Sequence, residues 1–179
     1  RTIRAQGEAF GRSNAGNGKR VLVEFVSANP TGPLHVGHGR GAVIGDVVSS
    51  LLDAAGYDVE REYYINDVGN QMRILGHSLY VRYQQVCGRE VPFPDNHYQG
   101  DYVRDSASRF RDIHGDSYLD HDYESEPDVF IDFAKAEILE EIRRDLDLLG
   151  VRFERWFAFR TLFKNCSKKW FDIYKHRSF

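Results

Sequence analysis

The sequence predicts an α/β fold built on a parallel sheet with helices packed on it. Three consecutive segments support this prediction: a β-branched apolar run at 20–26, a helical repeat of apolar residues that ends near Gly56, and an alternating run at 57–65. Strand, helix and strand in this order form a βαβ unit, in which the crossover is right-handed and the two strands are parallel.

The elements of this unit follow one another along the chain. Residues 7–19 are rich in Gly and Asn and predict a loop, and the apolar run at 20–26 predicts a buried strand. Two prolines and a glycine make 27–33 a turn. Apolar residues at helical spacing then predict a helix of about 18 residues that stops at Gly56; they are Ile44, Val48, Leu51 and Ala55.

The rest of the chain divides into helices and an insertion. Helical spacing predicts helices at 71–87 and 134–149, and 151–159 has the aromatic composition of a strand. Residues 88–126 are broken by Pro, Gly, Asp and His, with one short helical stretch at 102–113, and indicate an insertion or lid. We therefore expect three regions: a first βαβ half at 1–87, the insertion at 88–126, and a helix with the start of a connecting segment at 127–179.

Composition and charge exclude several classes of protein. The chain has 179 residues and a formal net charge of −3; no apolar run approaches the roughly 20 residues of a membrane span, and its first residues do not resemble a signal peptide. Two cysteines, Cys87 and Cys166, fit a core thiol and a surface thiol rather than a disulfide framework. An acidic middle at 95–147 and a basic end at 148–179 indicate solvated faces, with nucleic-acid contact by the basic end as the alternative. The first and last residues suggest part of a longer protein.

The first strand-to-helix turn holds the densest group of unusual residues: His35, Gly37, His38, Gly39 and Gly41. In an open α/β sheet, ligands bind beyond the carboxyl ends of the strands, and helix N-termini suit phosphate. The glycines let a base or a phosphate approach the backbone, and two imidazoles three residues apart can donate to one phosphate group. The turn therefore predicts a nucleotide site.

Other interpretations of these residues stay open. The turn also fits a relaxed dinucleotide fingerprint that ends in Ala, the start of a His-x-x-His zinc site without an evident third ligand, or a structural turn with histidine caps. Glu24, an acidic residue on an apolar strand, would be costly to bury alone. It can pair with a guanidinium, either of a substrate or of an internal arginine such as Arg40.

The segment FVSANPTGPLHVGH at 25–38 resembles the signature of class I aminoacyl-tRNA synthetases, in the form found in bacterial arginyl-tRNA synthetases. Further blocks resemble the same family, and the similarity runs over 5–157; the blocks lie at 5–11, 62–72, 91–94 and 98–102. The resemblance implies the first half of a Rossmann-like parallel sheet, with a mainly helical insertion, from the catalytic domain of a longer enzyme.

By this resemblance, the parent enzyme forms arginyl-adenylate from L-arginine and ATP and transfers arginine to tRNA(Arg). The implied catalytic residues are His35 and His38; the implied ATP contacts are Pro30, His35, Gly37, His38 and Gly41; the implied arginine contacts are Glu24, Ser27, Ala28, Asn29 and His38. The resemblance also implies Mg²⁺ carried by ATP without a dedicated protein metal site, a cytoplasmic location, and a monomeric parent with no membrane partner.

Two matched blocks leave the roles of their residues open. Asp67 and Gln71 belong to a family block, but they also suit caps of the second helix, and the stretch 98–102 favours bracing of the insertion over substrate contact. The family's Lys-Met-Ser-Lys-Ser-like loop does not occur in this sequence, so we expect the chain alone not to aminoacylate. A small nucleotidyltransferase with a His-x-Gly-His turn and a non-catalytic synthetase-like binding module remain as alternatives.

Overall fold

The structure, a computed structural model, describes residues 2–163. Its helices and strands are, in chain order, α1 (Thr2–Gln6), β1 (Arg20–Glu24), α2 (Val36–Ala54), β2 (Asp58–Ile65), α3 (Asn70–Val86), α4 (Asp101–His114), α5 (Pro127–Leu148) and β3 (Arg155–Ala158). Short 3-10 helices lie at Gly7–Ala9, Tyr123–Ser125 and Phe159–Phe163. The described residues form two compact units, the first made of 2–28, 35–65 and 146–157, the second of 29–34, 66–145 and 158–163.

The first unit contains the βαβ arrangement that the sequence predicts. β1 and β2 pair in parallel, from Arg20 opposite Asp58 to Glu24 opposite Glu62, and α2 is the crossover between them. β3 lies beside β2, so the strand order is β1-β2-β3. The α/β class and the parallel pairing of the first two strands are therefore confirmed.

β1 is shorter and less buried than predicted. It ends at Glu24 because Val26 and Ser27 adopt left-handed φ values of 65° and 42°, which do not fit a strand. Every second residue of β1 is exposed, including Leu22 with 51% of its surface, since β1 is the edge strand of the described sheet and one of its faces is uncovered. The prediction of a buried strand is thus wrong for the described residues.

The end of α2 is fixed by the loop that precedes β1. The backbone N–H groups of Ser13 and Gly16 donate to the carbonyls of Ala54 and Ala55 at 2.9 and 2.8 Å, and so satisfy acceptors that a helix end leaves free. Gly56 follows with a φ of +86°, a conformation that favours glycine. The predicted stop of the helix at Gly56 is confirmed.

The first unit packs through the small residues of α2, not through the large apolar ones that predict the helix. The buried positions of α2 are Ala42, Gly45 and Ser49. Phe25 packs so closely on the helix that a Cβ added at Gly45 would lie 2.1 Å from its ring. Ile44 and Leu51, by contrast, are 57% and 65% exposed. The apolar spacing therefore predicts the helix correctly but does not identify its buried face.

The second unit is formed by α3, α4 and most of α5, and the helices predicted at 71–87 and 102–113 are confirmed as α3 and α4. Aromatic and apolar side chains of all three helices fill its core, among them Leu79, Tyr83, Phe110, Phe130 and Ile142. α5 begins at Pro127, earlier than predicted, because proline suits the first helical position and the early turns carry core residues. No helix within residues 2–163 is long and apolar enough to cross a membrane.

Candidate active site

The start of α2, in the first unit, is built from two stacked histidines. His35 is the N-cap of the helix and His38 its third residue, and their rings lie 3.7 Å apart with 20° between the planes. Nδ1 of His35 accepts the N–H of Gly37 at 3.1 Å, and Nδ1 of His38 accepts the N–H of His35 at 3.3 Å. Because each Nδ1 accepts, the proton of each neutral ring lies on Nε2. Capping therefore leaves two Nε2–H donors available to a ligand.

The electrostatics of this turn suit an anion without requiring charged histidines. Burial and the neighbouring His35 lower the pKa of His38, so its ring is neutral at neutral pH. The partial positive charge of the helix start adds to the two imidazole donors. The two histidines therefore cap the helix through their Nδ1 atoms, and their Nε2–H groups take no part in capping. Residues 2–163 contain no cluster of three or more His, Cys, Asp or Glu that could hold a metal ion.

The glycines of the turn differ in what surrounds them. A Cβ on Gly37 would come within 2.9 Å of the His35 ring, so packing of the capping histidine requires a glycine there. A Cβ on Gly39 or Gly41 would meet no protein atom within 4 Å. Space beside these two positions is open, as close approach of a ligand to the backbone would need.

A second group of site residues lies just after β1. The hydroxyl of Ser27 donates to a carboxylate oxygen of Glu24 and accepts the backbone N–H of Tyr64 at 3.1 Å. Glu24 is exposed and forms no ion pair within residues 2–163, with Arg40 or any other cation. The alternative of a pair with an internal arginine such as Arg40 is therefore wrong for the described residues. The carboxylate is oriented by Ser27 and faces solvent.

The backbone of this turn is strained and held from one side by β2. Val26 is β-branched, and a left-handed φ costs such a residue about 1–2 kcal/mol. The Tyr63 hydroxyl donates to the carbonyl of the buried Ala28 at 3.0 Å, and its ring stacks on Trp156 at 4.4 Å. Burial raises the pKa of Tyr63 to about 12, so the phenol remains a donor at neutral pH. Contacts with β2 thus fix residues that would otherwise relax.

Ion pairs that the sequence alone does not indicate connect β2 to its neighbours. Arg61 lies 3.3 Å from Asp46 of α2, and its backbone N–H donates to Glu154 at 2.7 Å. Glu62, which is nearly buried, pairs with Nε of Arg155 at 2.9 Å. Four charged residues among the five at 58–62 are the signal in the sequence, but they do not identify the partners.

The second unit carries the loop 29–34, which is held by α3 and α4. Nδ2 of Asn29 donates to Oε1 of Gln71 at 2.8 Å, and the Tyr102 hydroxyl donates to the carbonyl of Thr31 at 2.6 Å. Pro30 is fully buried. Tyr102 therefore braces this loop, and Asn29 is fixed by a residue 42 positions later in the chain.

The cap interpretation of Asp67 and Gln71 is wrong. The N-cap of α3 is Gly69, whose φ is 95°, and no side chain caps this helix. Buried Asp67 instead accepts the backbone N–H of Arg160 at 2.9 Å and lies 3.5 Å from Nζ of Lys135. Asp67 thus joins parts of the second unit.

The two cysteines do not add to the candidate site. Cys87 is half-buried at the end of α3, and burial raises the pKa of its thiol. Cys166 and most of the basic end lie outside the described residues. The described part of the chain therefore offers no reactive thiolate.

Comparison with known proteins gives one consistent family. The family described as tRNA synthetases class I (R), catalytic domain, matches residues 2–111. A protein of Geobacter sp. (strain M21) named arginine–tRNA ligase is 52% identical over 157 residues, which are 88% of this chain and 28% of that protein. One of Thioalkalivibrio sulfidiphilus with the same name is 48% identical and covers 90% of this chain and 33% of its own length.

The likeness extends to solved structures. A crystal structure from Campylobacter jejuni, assigned as an arginyl-tRNA synthetase, superposes with a TM-score of 0.79 at 32% identity over 90% of this chain and 35% of that one. The chain thus spans about a third or less of the relatives that it matches. It belongs to the arginyl-tRNA synthetase family, tRNA synthetases class I (R), and its matched part lies in the catalytic domain.

Proposed function

We propose that the protein containing this chain activates L-arginine with ATP and attaches it to tRNA(Arg). The observation that carries the proposal is the histidine pair at the start of α2, where both Nδ1 atoms cap the helix and both Nε2–H groups stay available. Relatives named arginine–tRNA ligase, such as those 52% and 48% identical over most of this chain, support the choice of reaction. No observation favours the nucleotidyltransferase or the binding module over it.

In the proposed reaction the carboxylate of arginine attacks the α-phosphate of ATP, and pyrophosphate leaves. Such an in-line attack needs alignment and stabilisation of charge on the phosphate oxygens, not a covalent nucleophile. His35 and His38 donate to these oxygens in our assignment, assisted by the positive end of α2. Pro30, Gly37 and Gly41 complete the proposed ATP contacts, and Mg²⁺ arrives bound to the phosphates.

The proposed arginine contacts lie in the strained turn after β1 and the residues that follow it. Glu24 offers its exposed carboxylate to the guanidinium, with Ser27 holding one oxygen in place. Ala28 and Asn29 lie near the α-amino group in this assignment, and His38 contacts both substrates. The support from the structure is that Glu24 forms no ion pair within the described residues, so its charge is available.

The proposal extends to the setting of the enzyme. We propose that the parent enzyme acts in the cytoplasm and is a monomer with no membrane partner. The 179-residue chain alone is proposed not to aminoacylate, because a Lys-Met-Ser-Lys-Ser-like loop does not occur in its sequence.

The test is arginine-dependent ATP–pyrophosphate exchange by the full-length protein with tRNA(Arg) present. His38→Asn keeps an acceptor near the position of Nδ1 and removes the Nε2–H, so the exchange rate should fall by about 10²–10³ while the melting temperature changes little. His38→Gln, which places an amide N–H near the position of Nε2, should retain more activity. Exchange without arginine, or no exchange with tRNA(Arg) present, contradicts the proposed reaction; a loss of less than threefold in His38→Asn would reduce His38 to a cap.

A further inference from the structure

We propose that Tyr63 is a positioning residue for arginine: its hydroxyl group keeps the turn after β1 in the strained conformation that presents Glu24, Ser27 and Ala28 to the substrate. This inference rests on the proposed function, which places these three residues at the arginine site. It gives a buried side chain of β2 a role in substrate binding.

The turn after β1 has an unfavourable backbone conformation. The N–H of Ser27 donates to the carbonyl of Phe25 at 2.9 Å, across Val26 with its φ of 65°, which makes 25–27 a γ-turn of the rare, strained kind. Ser27 follows with a left-handed φ of 42°. Neither residue is a glycine, and a β-branched side chain such as that of Val26 fits this region poorly. The turn should therefore relax unless its surroundings hold it.

Two neighbouring residues of β2 hold the turn. The backbone N–H of Tyr64 donates to the hydroxyl of Ser27 at 3.1 Å, and the Tyr63 hydroxyl donates to the carbonyl of Ala28 at 3.0 Å. The first bond uses the backbone of β2, so a change of side chain at Tyr64 would leave its donor in place. The second bond uses a side chain. The support of the turn can therefore be removed selectively at Tyr63.

The direction and the position of the Tyr63 hydroxyl are both determined. A backbone carbonyl can only accept, so the phenol donates, and burial raises its pKa to about 12, which keeps its proton in place at neutral pH. The ring is fully buried, stacks on Trp156 with the centroids 4.4 Å apart, and meets the edge of Phe153 at 5.5 Å. The ring cannot move away from Ala28 without opening this cluster, so Tyr63 is a rigid support.

Support of a strained turn affects substrate affinity through the fraction of molecules in which the turn is formed. A ligand that binds only the formed turn has an apparent dissociation constant equal to the intrinsic constant divided by this fraction. Without the Tyr63 hydroxyl the fraction should fall, and part of the binding energy of arginine would be used to re-form the turn. The bond of Tyr63 ends on Ala28, which is not among the proposed ATP contacts, so the affinity for ATP should not change.

The test is the effect of Tyr63→Phe in the full-length protein on arginine-dependent ATP–pyrophosphate exchange with tRNA(Arg). This variant removes one hydrogen bond and keeps the ring, so the arginine KM should rise by about 2- to 10-fold. Because saturating arginine restores the turn, kcat should change by less than about twofold, and the ATP KM should stay unchanged. A residue with a merely structural role would instead lower kcat through loss of active enzyme and leave the arginine KM as it is.

Tyr83→Phe is the matched control in the second unit. The Tyr83 ring is also fully buried, burial also raises the pKa of its phenol to about 12, and its hydroxyl donates to the carbonyl of Gly115 at 2.9 Å. This hydroxyl also accepts the N–H of Tyr118 at 3.3 Å. Tyr83→Phe should therefore lower the melting temperature at least as much as Tyr63→Phe, but both KM values should stay unchanged.

A double-mutant cycle with Val26→Gly tests whether strain connects Tyr63 to arginine. Glycine adopts left-handed φ values without strain, so in this background Tyr63→Phe should raise the arginine KM by less than about twofold. The inference is overturned if Tyr63→Phe leaves the arginine KM unchanged, raises the ATP KM equally, or has the same effect in both backgrounds. An equal rise of the arginine KM in Tyr83→Phe would overturn it as well. Absence of arginine-dependent exchange in the wild type would instead overturn the proposed function, and the role of Tyr63 with it.

Discussion

Two glycines of α2, four residues apart, should respond in opposite ways to the same added methyl group. A Cβ at Gly45 would lie 2.1 Å from Cγ and 2.3 Å from Cδ2 of Phe25, whereas one at Gly41 would meet no protein atom within 4 Å. Both residues lie inside the helix, so Gly→Ala carries the same gain in helix propensity at each. Gly45→Ala therefore reports the cost of the clash with Phe25, and Gly41→Ala reports the gain in helix propensity where there is no clash.

The magnitudes follow from these distances. Ordinary contact begins near 3.4 Å, so Phe25 would have to retreat by more than 1 Å, yet its ring already lies 4.5 Å from that of Phe153. Overpacking of this kind costs about 1–3 kcal/mol, and the helix regains about 0.5–1 kcal/mol. Because the clash involves ring atoms close to the backbone, we take the upper end and expect a net loss of about 2 kcal/mol for Gly45→Ala. Gly41→Ala should gain about 0.5–1 kcal/mol.

The measurement is thermal unfolding followed by circular dichroism, combined with exchange kinetics of the full-length protein. For a chain of this size, 1 kcal/mol shifts the melting temperature by about 2–4 °C, so Gly45→Ala should melt about 4–8 °C lower and Gly41→Ala slightly higher than the wild type. If Gly41 is kept small for ATP, its alanine variant should combine higher stability with a raised ATP KM. Equal shifts in both variants would refute the packing argument, and an unchanged ATP KM in Gly41→Ala would refute the proposed ATP contact.

Three further changes have defined outcomes. The free energy of unfolding should be highest above about pH 6.5 and should fall as the pH drops below this value. The folded state lowers the pKa of His38, His77 and His97, so below about pH 6.5 the unfolded state binds more protons than the folded state. Melting temperatures measured between pH 5 and 8 check this. Tyr102→Phe removes the donor to the Thr31 carbonyl and should lower the free energy of unfolding, measured with denaturant, by about 1 kcal/mol. An unchanged free energy of unfolding would contradict the role of Tyr102 in holding the loop 29–34. Glu24→Gln should raise the arginine KM by about tenfold or more with little change for ATP, since one substrate alone carries a guanidinium, and equal effects on both would move Glu24 out of the arginine site.

The order of elements is predictable from the sequence because it depends on local patterns. Spacing of apolar residues, turn formers and Gly56 suffices for β1, α2 and β2 and for their parallel pairing. The exposure of Ile44 and Leu51 is not predictable in this way. A helix with apolar residues on several faces does not reveal which face packs, and here Gly45, which lets Phe25 approach, decides it.

The residue types of the candidate site can be predicted from the sequence, but the orientation of their side chains cannot. Two histidines and several glycines at a strand-to-helix turn indicate a phosphate site from residue types alone. That both Nδ1 atoms are used for capping depends on the dihedral angles of His35 and on the stacking of the rings. The partnership of Asn29 with Gln71 joins residues 42 positions apart, which a single sequence cannot reveal.

The orientation of the Glu24 carboxylate depends on the register between β1 and β2. Two consecutive residues of β2 hold the turn: the Tyr63 side chain binds the carbonyl of Ala28, and the Tyr64 backbone N–H binds the hydroxyl of Ser27, which in turn donates to Glu24. A slip of the pairing by one residue would send the Tyr63 ring to the opposite face of the sheet and remove both contacts together. The left-handed backbone at Val26 and Ser27 would then lose its support and relax. Correct pairing of the two strands is therefore a condition for the site, as well as for the fold.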